Sequence, residues 1–142
     1  TSTFRFGQII EHVLDNNSLT PPSDPDDTYR WLVKDFVPKL MKVLKDEEYS
    51  SKDGCNAALL INGQAWELQD DLSVLRNDVG LVVVGSGTYH AQSSILTQLL
   101  LNHQNSKPTV DEAEKILELA FEVTGSFVTS VSKKVKVMKE RK

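Results

Sequence analysis

The spacing of apolar residues changes along the chain from a helical period to a strand period and back. Apolar residues share one helical face from Arg5 to about Asp15, which predicts a short amphipathic helix. The same spacing predicts a longer helix from Tyr29 to Leu44, in which Pro38 should kink or restart the helix because it has no backbone N–H. Two successive amphipathic helices need a common apolar surface to cover.

Strand patterns fill the middle of the chain. Ala57 to Ile61 and Gln64 to Leu68 are predicted strands joined by Asn62-Gly63, a dipeptide typical of a type I′ hairpin turn. A short strand is expected near Ser73 to Asn77. Leu81 to Val84 is a continuous apolar run, and such runs are typical of strands buried on both faces.

The apolar run leads directly into Gly85-Ser86-Gly87 and then into a helical pattern that extends to Asn102. Because the first N–H groups of a helix are free to bind an anion, Ser86 and its turn could assist a reaction there. The structural alternative is that the glycines reverse the chain and Ser86 caps the helix.

The last third of the chain contains a further helix and a final strand. Thr109 and Glu112 have the spacing of a capping box, which predicts the start of the helix. Gly125 is expected to end it. Alternation from Phe127 to Met138 predicts the strand. Residues 133–142 are rich in lysine and arginine, and we interpret them as guards of an edge strand and a solvated tail rather than a nucleic-acid patch.

Composition fits one ordinary globular domain, residues 1–142. The formal net charge of −4 gives no reason to expect a nucleic-acid or membrane partner. The single cysteine, Cys55, cannot form an internal disulfide, so we expect a cytoplasmic protein with Cys55 as a small buried residue. The histidines have no partners at ligand spacing, so neither a metal nor a cofactor is expected. The predicted order is α-α-β-β-β-β-α-α-β, an α+β fold.

Four segments carry a resemblance to a known family. Phe4 to Ile10 (FRFGQII) is similar to the start of the family's first helix, and Leu59 to Leu68 (LLINGQAWEL) to its hairpin. Val79 to Ala91 (VGLVVVGSGTYHA) resembles its GSG segment, and Glu114 to Val123 (EKILELAFEV) its fourth helix. The family is that of proteasome β-type subunits and the bacterial protease HslV, N-terminal-nucleophile hydrolases with an αββα sandwich.

The resemblance implies a threonine-type peptidase, in which the side chain of an N-terminal Thr attacks and its α-amino group is the base. A glycine-turn N–H forms the oxyanion hole in that family. The positions that match its turn and its supporting residues are Gly85, Gly87, Ser86, Glu122 and Ser126.

The family opens with strand hairpins that carry the nucleophile, and this chain is expected to lack about forty residues of them. Thr1-Ser2-Thr3 resembles a mature proteasome start, but the helical period that follows argues against Thr1 as the nucleophile. The chain by itself is therefore expected to be inactive.

By family analogy, the expected partners are further copies of the chain in a homo-oligomer, an ATPase and a peptide substrate. Two alternatives remain open. One is a non-catalytic structural or assembly subunit of the same fold, and the other is an unrelated α+β binding module in which Ser86 is only a helix cap.

Overall fold

Helices and a small antiparallel sheet make up the chain, an α+β fold. The computed structural model describes residues 4–14, 19–50, 56–104, 106–133 and 136–137, and the chain divides into two units, Thr1–Val82 and Val83–Lys142. Thr1, Cys55 and most of the basic tail lie outside the described residues. Within the described ranges, no helix combines the length and apolar character that a membrane span needs.

The helices of the first unit include short π-helical turns. Helix α1 (Phe4–Gln8) continues into the π turn Ile9–Val13. A 3₁₀ turn (Pro25–Asp27) then leads through α2 (Thr28–Trp31) and the π turn Leu32–Phe36 into α3 (Val37–Asp46). Both predicted helices are confirmed, with bounds shifted by a few residues.

The π turn between α2 and α3 accommodates Pro38. The N–H of Val37 donates to the carbonyl of Leu32, five residues earlier, and Pro38 follows at the first turn of α3. Proline inside an ordinary helix clashes with the carbonyl four residues before it, and wider winding ahead of the ring avoids that contact. The predicted restart at Pro38 is confirmed.

The sheet consists of β1 (Ala57–Ile61), β2 (Gln64–Leu68) and β3 (Val74–Leu75), antiparallel in the order β1-β2-β3. Asn62 and Gly63 have φ of +53° and +69°, the left-handed conformation that a type I′ turn requires at both positions. The predicted hairpin is confirmed. The Asn62 side-chain amide also donates to the Pro22 carbonyl at 2.9 Å and to Thr28 Oγ1 at 3.1 Å, which ties the turn to the chain before α2 and to the first residue of that helix.

The core of the first unit lies between the helices and one face of the sheet. Its buried members share apolar character and come from both layers: Phe6, Ile9, Leu14, Leu19, Leu32, Phe36, Leu40, Leu44, Trp66, Leu68 and Val74. The inward residues of β1, which are Ala57, Leu59 and Ile61, pack against this cluster. The predicted common surface for the two helices is therefore the sheet.

The prediction of a strand at Leu81–Val84 is wrong. This segment is half-buried but pairs with no strand in the described sheet. The Asn77 side chain hydrogen-bonds to both backbone polar groups of Leu81. Its Oδ1 accepts from the Leu81 N–H at 3.1 Å, and its Nδ2 donates to the Leu81 carbonyl. An apolar run indicates that a segment is buried but not that it pairs with another strand. Here the backbone hydrogen bonds of Leu81 are made to the nearby Asn77 side chain.

The second unit is built on two helices, α4 (Thr88–Asn102) and α5 (Val110–Phe127), which pack against each other. Ala91 and Ile95 of α4 are buried, as are Ile116 and Ala120 of α5. The capping box is confirmed, since Thr109 N–H and Oγ1 donate to Glu112 Oε2 at 2.8 and 2.7 Å, and Glu112 N–H donates to Thr109 Oγ1.

Two predictions near the C-terminus are wrong. Gly125 does not stop the helix, because α5 continues to Phe127. The strand predicted from Phe127 to Met138 is absent over residues 127–133, where the Val131 N–H donates to the Val128 carbonyl within a turn. Part of the remainder of that prediction falls outside the described residues.

We expect Gly63→Ala and Gly7→Ala to change stability in opposite directions. A Cβ at either position meets nothing within 4 Å, so only the backbone conformation differs. Alanine at the left-handed Gly63 should lower the free energy of unfolding by about 1–2 kcal/mol. Alanine at Gly7, inside α1, should raise it by about 0.5–1 kcal/mol. Urea denaturation measures both, and equal changes would contradict the turn geometry.

We expect the capping box to make stability depend on pH. The hydroxyl and then the backbone N–H of Thr109 hold the pKa of Glu112 below its ordinary 4.5. A carboxyl with a lowered folded-state pKa stabilises the fold fully above its ordinary value, and this contribution is lost as the pH falls through the lowered pKa.

The melting temperatures of the wild type and Glu112→Gln should therefore differ near neutral pH and converge in acid, where Glu112 is also neutral. Glu118→Gln, at an exposed position of the same helix, is the control. A wild-type advantage that stays constant from neutral pH into acid would contradict the capping role of the carboxylate.

Candidate functional site at the start of α4

A tight turn leads into α4. The N–H and Oγ1 of Thr88 both donate to the Gly85 carbonyl, at 3.2 and 2.7 Å, which closes a β-turn over Ser86 and Gly87. Gly85 has φ of +116°, a conformation that side-chain-bearing residues rarely adopt. Gly87, and not Ser86, occupies the N-cap position of α4, and its carbonyl accepts from the Ala91 N–H at 3.0 Å.

The Ser86 side chain projects from this turn toward a second serine. Ser86 Oγ lies 2.9 Å from Ser130 Oγ, and either hydroxyl can be the donor. Ser130 follows the end of α5 by three residues, and both serines are exposed. The hydroxyl pair therefore joins the start of α4 to the segment after α5.

Two glycines allow this segment to approach the helices. A Cβ on Gly87 would lie 2.4 Å from Thr124 Cγ2 and 3.0 Å from Val131 Cγ2. A Cβ on Gly125 would lie 2.7 Å from Lys133 Cγ and 3.1 Å from the Val131 carbonyl oxygen. Real Cβ atoms are not found at the shortest of these distances. Residues 131–133 can therefore follow this path only because Gly87 and Gly125 have no side chains.

Glu122 and Ser126, the other predicted supporting residues, lie on exposed positions of the last turns of α5. Ser126 Oγ donates to the Glu122 carbonyl at 2.9 Å, a bond within the helix. The structure thus links these two residues locally and pairs Ser86 with Ser130, which the sequence analysis did not single out. Ser130 was missed because it was assigned to a strand, and no local motif relates it to a residue forty-four positions away.

The serine pair is suited to hydrogen bonding rather than to attack. A serine becomes a nucleophile when an imidazole, an amine or another base takes its proton. A neighbouring neutral hydroxyl is a poor base, but each hydroxyl can both donate and accept. The pair can therefore orient another reacting group or relay a proton to it.

An open groove of about 460 Å³ extends along α4 from this turn. It is lined by Tyr89, His90, Ser93, Ser94, Thr97, Gln98 and Val123. The His90 ring stacks on Phe127 with centroids 5.6 Å apart, and Gln98 Nε2 donates to the Ile116 carbonyl at 3.3 Å, so contacts between α4 and α5 hold both ends of the lining. Hydroxyl groups and rings line the groove, a surface that suits an uncharged chain segment.

We expect Gly87→Ala to destabilise the protein, because its methyl group would overlap Thr124 Cγ2. Overpacking of this kind costs about 1–3 kcal/mol. Thr124→Ser removes that methyl group but keeps the hydroxyl, which donates to the Ala120 carbonyl at 2.7 Å. Gly87→Ala should therefore cost less in the Thr124→Ser background than in the wild type. A double-mutant cycle of free energies of unfolding measures the difference. Simple additivity would contradict the contact.

Comparison with models of protein families, with curated protein sequences and with solved structures finds no match. The family resemblance therefore depends on the sequence segments quoted above.

Proposed function

We propose that this chain is a proteasome- or HslV-like subunit that contributes supporting hydroxyl groups to a threonine-type peptidase site. The observation that carries the proposal is the contact of Ser86 Oγ with Ser130 Oγ at 2.9 Å on a Gly-Ser-Gly turn that opens a helix. The nucleophile would be an N-terminal Thr, Ser or Cys on a strand for which the described residues offer no counterpart.

The serine pair suits the chemistry of such a nucleophile. When an N-terminal residue attacks an amide, its own α-amino group takes the proton of the attacking side chain. A fixed hydroxyl beside that amine can accept a hydrogen bond from its protonated form and donate one to the attacking oxygen. Ser86 can do so because Ser130 holds its Oγ in place.

The turn also offers donors for the oxyanion. The turn is closed by the Thr88 N–H, so its own bond does not use the N–H groups of Ser86 and Gly87. A backbone N–H held in position before the reaction stabilises a developing negative charge without reorganisation. Ser86 is the better candidate, because it is an exposed residue whereas Gly87 is buried.

The finer architecture is part of the same proposal. The sheet β1-β2-β3 and the pair α4 and α5 would be one portion of an αββα sandwich, completed by nucleophile-bearing strands. Assembly into a cytoplasmic homo-oligomer with an ATPase partner and peptide substrates follows from the family by analogy.

A non-catalytic subunit of the same fold is the second candidate, and one observation favours it. The Ser86 hydroxyl already has a partner, and fastening the segment after α5 to the start of α4 is by itself a sufficient role for the pair. In that case the native protein would hydrolyse no peptide amide, and loss of the pair would affect stability alone.

Ser86→Ala in the native protein, with its own processed N-terminus identified by intact mass, separates these candidates. Loss of one positioned hydrogen-bond donor should lower kcat for a fluorogenic peptide amide by about 10²-fold. The free energy of unfolding should fall by only about 1 kcal/mol, because the lost bond is exposed. Ser106→Ala, at an exposed serine between α4 and α5, should change neither quantity.

The peptidase proposal fails if the native protein hydrolyses no peptide amide, or if Ser86→Ala leaves kcat unchanged. Replacement of the N-terminal residue provides an independent check, since it should abolish turnover while leaving the melting temperature within the range of the Ser106→Ala control.

A further inference from the structure

Strand β1 is an edge of the sheet that the described residues form, and its outer side can be identified from the register. Ile61 lies opposite Gln64 across the two-residue turn, so these residues exchange both backbone hydrogen bonds. Such pairs alternate along an antiparallel ladder, and therefore Leu59 and Ala57 also bond to β2. The N–H and C=O groups of Ala58 and Leu60 point away from β2.

The outward residues of β1 are accessible. Ala58 is exposed, and the Leu60 side chain is 61% exposed although it is large and apolar. Their neighbours Ala57, Leu59 and Ile61 pack on the core, so the strand is held in an extended conformation with one edge presented.

The devices that usually protect an edge strand are absent from β1. Its sequence, AALLI, contains no lysine, no other charge and no proline, and its pairing with β2 runs without a bulge. An extended, apolar and unguarded edge is a template for pairing with another strand.

We propose that β1 pairs with β1 of a second copy of this chain, antiparallel and centred on Leu59. In this register Ala58 of each copy lies opposite Leu60 of the other, and each such pair exchanges two backbone hydrogen bonds. Small residues then face large ones, since Ala57 likewise lies opposite Ile61. The strand is thus complementary to itself, as a two-fold interface requires.

The self-complementary register favours a second copy as the occupant. Copies of a chain with a net charge of −4 repel one another as a whole, but the uncharged strand AALLI adds no like-charge contact when it lies against its own image. The contact is small, because one pair of five-residue strands buries less than the about 1,200 Å² of a stable interface. Association should therefore depend steeply on protein concentration, and it is independent of whether the protein hydrolyses peptides.

Amide hydrogen exchange by NMR across a dilution series of the 142-residue chain tests this pairing residue by residue. The Leu59 and Ile61 amides bond to β2 and should be protected at every concentration. The Ala58 and Leu60 amides should exchange rapidly when dilute. Their exchange should slow by about tenfold once about nine-tenths of the chains are paired, because exchange then proceeds from the unpaired tenth.

Two variants sharpen the test. Leu60→Lys should abolish both this protection and the rise in sedimentation-average mass, because it places two ammonium groups at diagonal positions across the pair. Leu101→Lys, at a residue of α4 that is 73% exposed, is the matched control and should leave both unchanged.

Three results would overturn the proposal. Ala58 and Leu60 amides that exchange rapidly at every concentration would show that the edge is unoccupied. Protection of these amides at every concentration would show that another segment covers the edge. Association that Leu101→Lys abolishes and Leu60→Lys does not would place the contact on α4.

Discussion

The segment after α5 can return along the ends of both helices of the second unit because Gly87 and Gly125 carry no Cβ atoms. In free energy, this packing constraint is larger than the hydrogen bond between Ser86 and Ser130 that results from it. An exposed hydroxyl pair is worth about 1 kcal/mol, whereas a methyl group forced into packed atoms costs about 1–3 kcal/mol. Packing therefore sets the path of the chain, and the contact between Ser86 and Ser130 is a result of that path. The same packing leaves Gly87 buried at the helix start.

The parts of the fold that the sequence predicted correctly depend on neighbouring residues alone. Asn62-Gly63 specifies its turn because both residues tolerate positive φ, and Thr109 with Glu112 specifies a helix start because each side chain bonds to the other's backbone. The failures share a different origin. Leu81 to Val84 is apolar enough for a strand, but pairing needs a partner, and Asn77 occupies the backbone groups of Leu81 instead.

The candidate site divides in the same way. Gly85, Ser86 and Gly87 could be placed at a strand-like run and a helix start from spacing alone, and the structure confirms the turn. Ser130 could not be found, because its position depends on how the chain packs after α5. The prediction of a helix stop at Gly125 is wrong, because the missing side chain there admits Lys133 and Val131 at close range. A glycine in a sequence shows that a side chain is absent, but it does not show which other residue packs into the space.

The π turn before Pro38 has a consequence for how this chain tolerates changes in its length. Leu32, Phe36, Leu40 and Leu44 are buried at intervals of four residues, whereas an ordinary helix turns about 100° per residue and would carry such a repeat gradually off one face. The wider turn offsets part of that drift. Loss of one residue there would restore ordinary winding and leave Leu40 and Leu44 near their present face, because a π turn holds one residue more than an α-helical turn, but it would bring the Pro38 ring against the carbonyl four residues before it. Selection should therefore act on the number of residues between Thr28 and Pro38 as strongly as on their hydrophobicity, and insertions or deletions in descendants of this sequence should avoid that interval.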